Sequence, residues 1–125
     1  MRIKNILLTA TMIFLLAGCS SLKNKWSPVG NWEYLVTDTP EGDSSGTLVI
    51  SASDDGYIAT IKSLAYGESE LSNFSVTAEK KLSGNFFLAG YEFYLTGTFQ
   101  EDSFAGQVES SIAEPFPMTA HRSIQ

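Results

Sequence analysis

Residues 91–108 read YEFYLTGTFQEDSFAGQV, and this stretch decides the fold class. Apolar and polar side chains alternate in both halves, which is the period of a β-strand with one buried face. Between the halves, Gln100-Glu101-Asp102-Ser103 is polar and short enough to reverse the chain. The stretch therefore predicts two antiparallel strands joined by a short connection.

The same alternation recurs from Gly30 to the end of the chain, without a helical period. Tight turns are indicated by Asp54-Asp55-Gly56, Tyr66-Gly67 and Ala89-Gly90, because Gly and Asp tolerate a positive φ. Residues 40–46 are expected to form the longest and least structured connection. Together these signals predict eight strands, at residues 30–38, 45–52, 57–65, 69–78, 81–89, 91–99, 104–112 and 115–122.

Three of the predicted strands carry a glycine on the apolar face. An apolar-x-Gly-x-apolar pattern occurs at residues 82–86, 95–99 and 104–108. Glycine inside a strand marks a bend, a bulge or a close approach of backbones. Consecutive bent strands suit a small, strongly coiled barrel.

Eight sequential strands with short connections favour up-and-down order, and closure of such a sheet removes its exposed edges. Pro115 and Pro117 place the last strand at an edge or at the closing position, since proline cannot donate to a ladder. The predicted fold is an all-β, small antiparallel up-and-down β-barrel. A two-sheet sandwich is the alternative architecture.

The N-terminus has the features of a secretion signal. Arg2 and Lys4 precede an apolar stretch at residues 6–17. Its 12 residues are fewer than the roughly 20 that a membrane-spanning helix needs, and they match the apolar region of a signal peptide. We therefore expect residues 1–18 to be a cleaved signal peptide.

The sequence Leu16-Ala17-Gly18-Cys19 resembles the lipobox of bacterial lipoproteins. The resemblance implies that Cys19 receives a diacylglyceryl group, becomes the mature N-terminus and carries acyl chains such as palmitate. Two or three acyl chains anchor a protein stably to a membrane. Ser20 after the cysteine implies sorting to the outer membrane, with the domain facing the periplasm. On this reading residues 19–29 are the lipidated N-terminus and tether, and residues 30–125 are the barrel domain.

The net charge narrows the range of partners. The chain has a formal net charge of −6, and loss of Arg2 and Lys4 with the signal leaves six Lys or Arg against 14 Asp or Glu, a net charge of −8. Nucleic acid requires a basic surface, so it is excluded as a partner. A polybasic contact with lipid headgroups is excluded for the same reason.

The first and last strands carry a second resemblance. Gly30-Asn31-Trp32 and Arg122 are similar to the lipocalin and calycin arrangement, in which a Gly-x-Trp on the first strand meets an Arg at the end of the last. The resemblance implies that the Arg122 guanidinium lies over the Trp32 indole and closes one end of the barrel, a cation–π contact. The domain is shorter than a typical lipocalin and has no predicted C-terminal helix, so its interior could be filled by side chains.

The sequence contains no arrangement of residues that is typical of a catalytic or metal site. His121 is the single histidine and is predicted on the outer face, so no histidine cluster for zinc exists. The acidic stretch at residues 38–43 lacks the ligand spacing of a calcium loop. No serine lies in a Gly-x-Ser-x-Gly turn. We therefore expect neither an enzyme nor a bound cofactor or metal.

Two functions remain open from the sequence. The first is a membrane-anchored envelope lipoprotein whose barrel binds a small apolar ligand. The second is a non-catalytic structural or protein-interaction lipoprotein with a filled core, whose protein partner the sequence does not identify. Trp26 is expected either among the lipid headgroups or as a cap on the barrel. The candidate ligand-lining residues are Tyr34, Phe74, Phe86, Phe93, Phe104, Phe116 and Met118.

Overall fold

The computed structural model of the protein describes residues 25–123. The predicted signal peptide, Cys19, Ser20 and the first part of the tether lie outside the described residues. Within residues 25–123 there is no helix long and apolar enough to cross a membrane.

The described chain forms one antiparallel sheet in up-and-down order. Its strands lie side by side in the order β4-β3-β2-β1-β9-β8-β7-β6-β5, so the first and last strands of the sequence are neighbours. One continuous sheet of this kind is a nearly closed barrel and not a two-sheet sandwich. The strands are β1 (Gly30–Thr39), β2 (Gly42–Ser53), β3 (Gly56–Ser63), β4 (Gly67–Glu70), β5 (Ser72–Val76), β6 (Lys81–Leu88), β7 (Tyr91–Gln100), β8 (Ser103–Ser110) and β9 (Ala113–Arg122).

The strand count is nine, and the prediction of eight was wrong at residues 69–78. This segment forms two strands that pair with different neighbours, β4 with β3 and β5 with β6. The change of partner occurs at Leu71, which is buried and donates its N–H to the Ala59 carbonyl at 2.9 Å. Asn73 has a positive φ of 53°, and the pairing of β5 is irregular beside it.

The barrel closes along a line that we call the seam, where β4 lies beside β6 and β5 lies beside β3 without a ladder of paired residues between them. Leu71, between β4 and β5, bonds Ala59 of β3, and two residues earlier Ser69 Oγ of β4 accepts a hydrogen bond from the Phe87 N–H of β6 at 3.3 Å. Elsewhere neighbouring strands are joined by ladders of paired residues. The seam is therefore the part of the wall with the fewest backbone hydrogen bonds.

The connection expected at residues 40–46 is shorter than predicted. β2 begins at Gly42 and Thr39 pairs with Gly42, so the turn consists of Pro40 and Glu41. A register shift between Val36 and Thr39 accommodates it. Asp38, with a positive φ of 65°, lies within that shift.

The core occupies one half of the barrel. Alternate residues of each strand point inward, and the most deeply buried large side chains are Trp32, Leu48, Ile50, Ile61, Leu95 and Met118. Most of these residues lie toward the end where β1 begins and β9 finishes, which we call the closed end. The opposite end, where β1 finishes and β9 begins, is the mouth.

Candidate ligand-binding site

Arg122 and Trp32 meet at the closed end. The strand register pairs the two residues directly, and the guanidinium carbon lies 4.6 Å from the centre of the indole ring. Trp32 is fully buried, and its Nε1–H donates to the Pro28 carbonyl at 2.9 Å. The indole thus has its polar atom satisfied, one face covered by a cation and the rest packed in the core.

Arg122 also ties the chain before β1 to the β7–β8 turn. Its Nη1 donates to the carbonyls of Ser27 and Val29, each at 2.8 Å, and its Nε donates to Asp102 Oδ1 at 3.0 Å. Gly30 lies against the same side chain, since a Cβ at position 30 would stand 3.2 Å from Arg122 Cδ. The guanidinium therefore joins three segments that are distant in sequence.

Trp26 caps the closed end from outside. Its ring lies 5.3 Å from that of Phe99, and its Nε1–H donates to the Glu101 carbonyl at 3.0 Å. Lys80 Nζ stands 5.0 Å from the centre of the ring. Of the two expectations for Trp26, the structure shows the cap, and the side chain is packed on the barrel.

A cavity of about 490 Å³ opens at the mouth. Its floor is the core, and its wall is formed by residues of seven strands. The apolar and aromatic wall residues are Tyr34, Val36, Ile61, Phe86, Leu88, Phe93, Val108 and Phe116. This end of the barrel is therefore hollow, whereas the closed end is filled.

Four connections surround the mouth, at residues 39–45, 63–66, 88–91 and 110–113. Several carry apolar side chains exposed to solvent: Leu64 is 87% exposed and Ile112 65%. Tyr66 and Tyr91 are about half exposed. The turns of the closed end have a different composition, with Asp54-Asp55, Glu79-Lys80 and Glu101-Asp102.

Tyr34 contributes a polar group to the cavity wall. Its hydroxyl donates to the Lys62 carbonyl at 3.1 Å, and burial raises its pKa above the usual value. Gly46 makes room for the ring, because a Cβ there would stand 2.9 Å from Tyr34 Cζ. The Ser110 hydroxyl is enclosed without a hydrogen-bond partner among the described residues.

The charged side chains that line the cavity are acidic. Glu41 and Asp43 lie on its rim, and Glu41 accepts a hydrogen bond from the Tyr66 hydroxyl, which raises the pKa of that tyrosine. No Lys, Arg or His is among the residues that line the cavity. Within residues 25–123, no group of three or more His, Cys, Asp or Glu side chains is placed to hold a metal ion.

The seven candidate lining residues fall into two groups. Tyr34, Phe86, Phe93 and Phe116 line the cavity, with Phe86 and Phe93 stacked at 5.4 Å. The other three do not line it. Phe104 packs 5.0 Å from Phe99, Met118 is buried in the core, and Phe74 lies half-buried beside Gly84.

Sequence reasoning missed the aliphatic part of the wall, namely Val36, Ile61, Leu88 and Val108. The alternation does carry a signal for them. Val36 follows Tyr34 by two residues, and Leu88 follows Phe86 by two, so each shares a strand face with its aromatic neighbour. The predicted lining set contained only aromatic residues and Met118, so it omitted these four aliphatic residues.

His121 lies outside this site. Its side chain is exposed on the outer face of β9, and Nε2 is 3.1 Å from Glu33 Oε2 of β1. The pair is distant from the cavity lining.

Comparison with known proteins gives a likeness of fold. No protein-family model and no curated protein matches the sequence. Among solved structures, the chain is similar to a de novo designed fluorescence-activating β-barrel, with 16% sequence identity and a TM-score of 0.53. The match covers 76% of this chain and 93% of the designed one. The chain thus shares the architecture of an antiparallel β-barrel.

Proposed function

We propose that the protein is a membrane-anchored envelope lipoprotein whose lipocalin-like barrel binds a small apolar ligand in the cavity at its mouth. One observation carries the binding proposal: the lumen is hollow at one end and lined there by apolar and aromatic side chains. Its volume of about 490 Å³ lies within the range of small-molecule sites. The designed barrel of similar fold is described as fluorescence-activating, which is consistent with a ligand held in such a lumen.

The contact between Trp32 and Arg122 supports the lipocalin-like part of the proposal. The geometry at the closed end has the form that the Gly-x-Trp and Arg resemblance implies. This contact fixes the filled half of the barrel and leaves the mouth as the route into the lumen.

The anchoring part rests on the lipobox resemblance at residues 16–19. Lys25 and Trp26 lie at the closed end, and the six residues from Cys19 to Asn24 span at most about 20 Å when fully extended. A lipid anchor on Cys19 would therefore hold the closed end near the membrane. The mouth would face away from it, into the periplasm if the outer membrane is the site.

A second candidate function is favoured by the exposed side chains of Leu64 and Ile112. Exposed apolar groups around a concave site can mark contact with another protein. On this reading the barrel is a non-catalytic interaction module, and the apolar mouth meets a partner in the envelope.

The binding proposal is tested with the mature chain from Cys19 onward, carrying Cys19→Ser. All nine strands lie within residues 25–123, so this chain keeps the described barrel. We expect an uncharged, environment-sensitive naphthalene dye to bind with increased emission. Val108→Phe should weaken its affinity at least about 10-fold, because the new ring occupies the lumen.

Ile58→Phe is the matched control, since Ile58 is half exposed on the outer face of β3 and gains the same kind of ring outside the cavity. Urea unfolding of both variants checks that the barrel is intact. Equal affinity of the dye for the wild type and Val108→Phe would overturn the proposed site, and so would failure of the dye to bind.

A further inference from the structure

We infer that the cavity discriminates ligands by charge: it accepts uncharged and cationic apolar molecules and rejects anionic ones such as fatty carboxylates. This inference rests on the proposed function, because it concerns which ligand the same cavity takes.

The residues that line the cavity include carboxylates and no Lys, Arg or His. Glu41 lies in the β1–β2 turn and Asp43 is the second residue of β2, both at the mouth. Glu109 and Glu114 lie near the β8–β9 connection at the same end. A ligand that enters with a carboxylate meets like charges, which oppose it.

None of the five cations of the described chain lines the cavity, and Lys62 is the one that lies at the mouth end of its strand, next to the lining residue Ser63. Lys80, Lys81 and Arg122 are at the closed end, and Lys25 is adjacent in sequence to the cap residue Trp26. Lys62 lies on β3 with its side chain exposed, while its neighbour Ile61 is the residue that faces the lumen. A carboxylate in the cavity therefore has no cation to pair with, and burial of an unpaired charge is costly.

The side-chain hydrogen-bond donors among the lining residues are neutral hydroxyls, of Thr39, Ser44, Ser45, Ser63, Ser110 and the tyrosines. The Tyr34 hydroxyl already donates to the Lys62 carbonyl, and the Tyr66 hydroxyl donates to Glu41. Ser110 Oγ is free of partners among the described residues, but it is a neutral hydroxyl. Such a group suits the hydroxyl or amide of an uncharged ligand better than it compensates a full negative charge.

The wall itself favours cations over anions. Aromatic rings from four strands border the cavity, among them Phe86, Phe93 and Phe116. The faces of such rings attract ammonium and similar cations. An amphiphile with an apolar tail and an ammonium head could place its tail in the lumen and its head between these rings and Glu41.

The test compares three probes that share one tail: dodecylamine, dodecanol and dodecanoate. Each competes with the naphthalene dye for the mature Cys19→Ser chain, at neutral pH, low salt and concentrations below micelle formation. We expect the amine and the alcohol to bind at least about 10-fold more tightly than the carboxylate. Added salt should narrow the difference between the amine and the alcohol, because it screens the rim charges.

A charge-neutralised rim provides the second measurement. Glu41→Gln combined with Asp43→Asn should lower the affinity for the amine until it approaches the affinity for the alcohol. The affinity for the carboxylate should rise several-fold, and the affinity for the alcohol should not change. Asp54→Asn combined with Asp55→Asn is the control, since it makes the same change of net charge at the closed end. This control should leave all three affinities unchanged.

The outcomes separate the two proposals. If the dye and all three probes fail to bind, the proposed function itself is wrong. If the probes bind but the carboxylate matches or exceeds the amine, ligand binding stands and charge discrimination is wrong. An equal response to the rim and closed-end variants would also overturn it, because the effect would then come from net charge and not from the rim.

Discussion

Arg122 is the side chain whose loss should most disturb the closed end. It covers Trp32, donates to two backbone carbonyls and pairs with Asp102. We expect Arg122→Ala to lower the free energy of unfolding by about 2–3 kcal/mol, from the cation–π contact and the unpaired carbonyls together. Urea denaturation followed by tryptophan fluorescence measures this change.

Arg122→Lys should recover only part of that loss, because an ammonium cannot span both carbonyls and the indole face. Lys62→Ala, at an exposed cation on β3, is the control and should change the stability by no more than about 0.5 kcal/mol. If Arg122→Ala changes the free energy of unfolding no more than Lys62→Ala does, the guanidinium does not hold the closed end together.

Tyr34 gives the stability a dependence on alkaline pH. Burial raises the pKa of its hydroxyl in the folded protein above the value of about 10 expected in the unfolded chain. The folded state therefore keeps the proton longer, and its stability is fully present below pH 10 and falls as pH rises through the folded pKa. Tyr34→Phe should remove this part of the alkaline loss.

The measurement is the free energy of unfolding of both proteins over the alkaline range. Tyr66 and Tyr94 also have raised pKa values, because each hydroxyl bonds a carboxylate, but both remain in the variant. The difference between the two pH profiles thus reports Tyr34. Parallel profiles for the wild type and Tyr34→Phe would contradict the assignment.

At the residue scale, sequence reasoning distinguishes inward from outward positions but not height along the barrel axis. Tyr34, Phe86, Phe93 and Phe116 reach the cavity, while Phe104 faces inward and lies in the filled half, because the register pairs it with Ala120. That height depends on the stagger of all the strands, which no local pattern specifies.

Among the strands, β7 and β8 leave no room for a Cβ at Gly97 or Gly106. The two glycines are directly paired, and a Cβ on Gly106 would stand 2.7 Å from Gly97 Cα while colliding with the Thr96 carbonyl. We expect Gly106→Ala to lower the stability by at least about 2 kcal/mol, since backbone cannot yield as a side chain can. Thermal or urea unfolding measures it.

Gly84→Ala is the graded control for this prediction. A Cβ on Gly84 would come no nearer than 3.2 Å, to the flexible end of Leu71. The cost of this variant should be clearly smaller. Similar losses in the two variants would mean that the packing of β7 on β8 is not what requires glycine at position 106.

The strands themselves follow from the sequence, apart from the division at Leu71. The alternation shifts phase between β4 and β5: the more buried positions are Ser69 and Leu71, and then Phe74 and Val76. Asn73, with its positive φ, lies in this shift. The spacing of three residues from Leu71 to Phe74 is visible in the sequence, but the change of neighbouring strand at Leu71, from β3 to β6, is a non-local event that the period does not specify.

For the molecule as a whole, the lipid anchor proposed on Cys19, together with the two unlike ends, predicts an orientation on a membrane. In the lipidated protein reconstituted into vesicles, a fluorophore on Asp55→Cys, at the closed end, should be quenched by a headgroup-attached quencher. The same fluorophore on Ser111→Cys, at the mouth, should be quenched much less. Equal quenching at both positions would contradict an upright barrel.

The seam determines where the wall of the barrel can open. At the mouth, the gap between β4 and β6 is bridged by the Ser69 hydroxyl and the Phe87 N–H, whereas the base of the barrel is locked by Trp26, Trp32 and Arg122. The barrel can therefore widen at the mouth, where β4 and β6 lie side by side, without loosening the closed end. A ligand wider than the mouth could enter when β4 and β6 separate. The Phe87 amide hydrogen would then exchange with solvent before the amide hydrogens of the neighbouring strand ladders do.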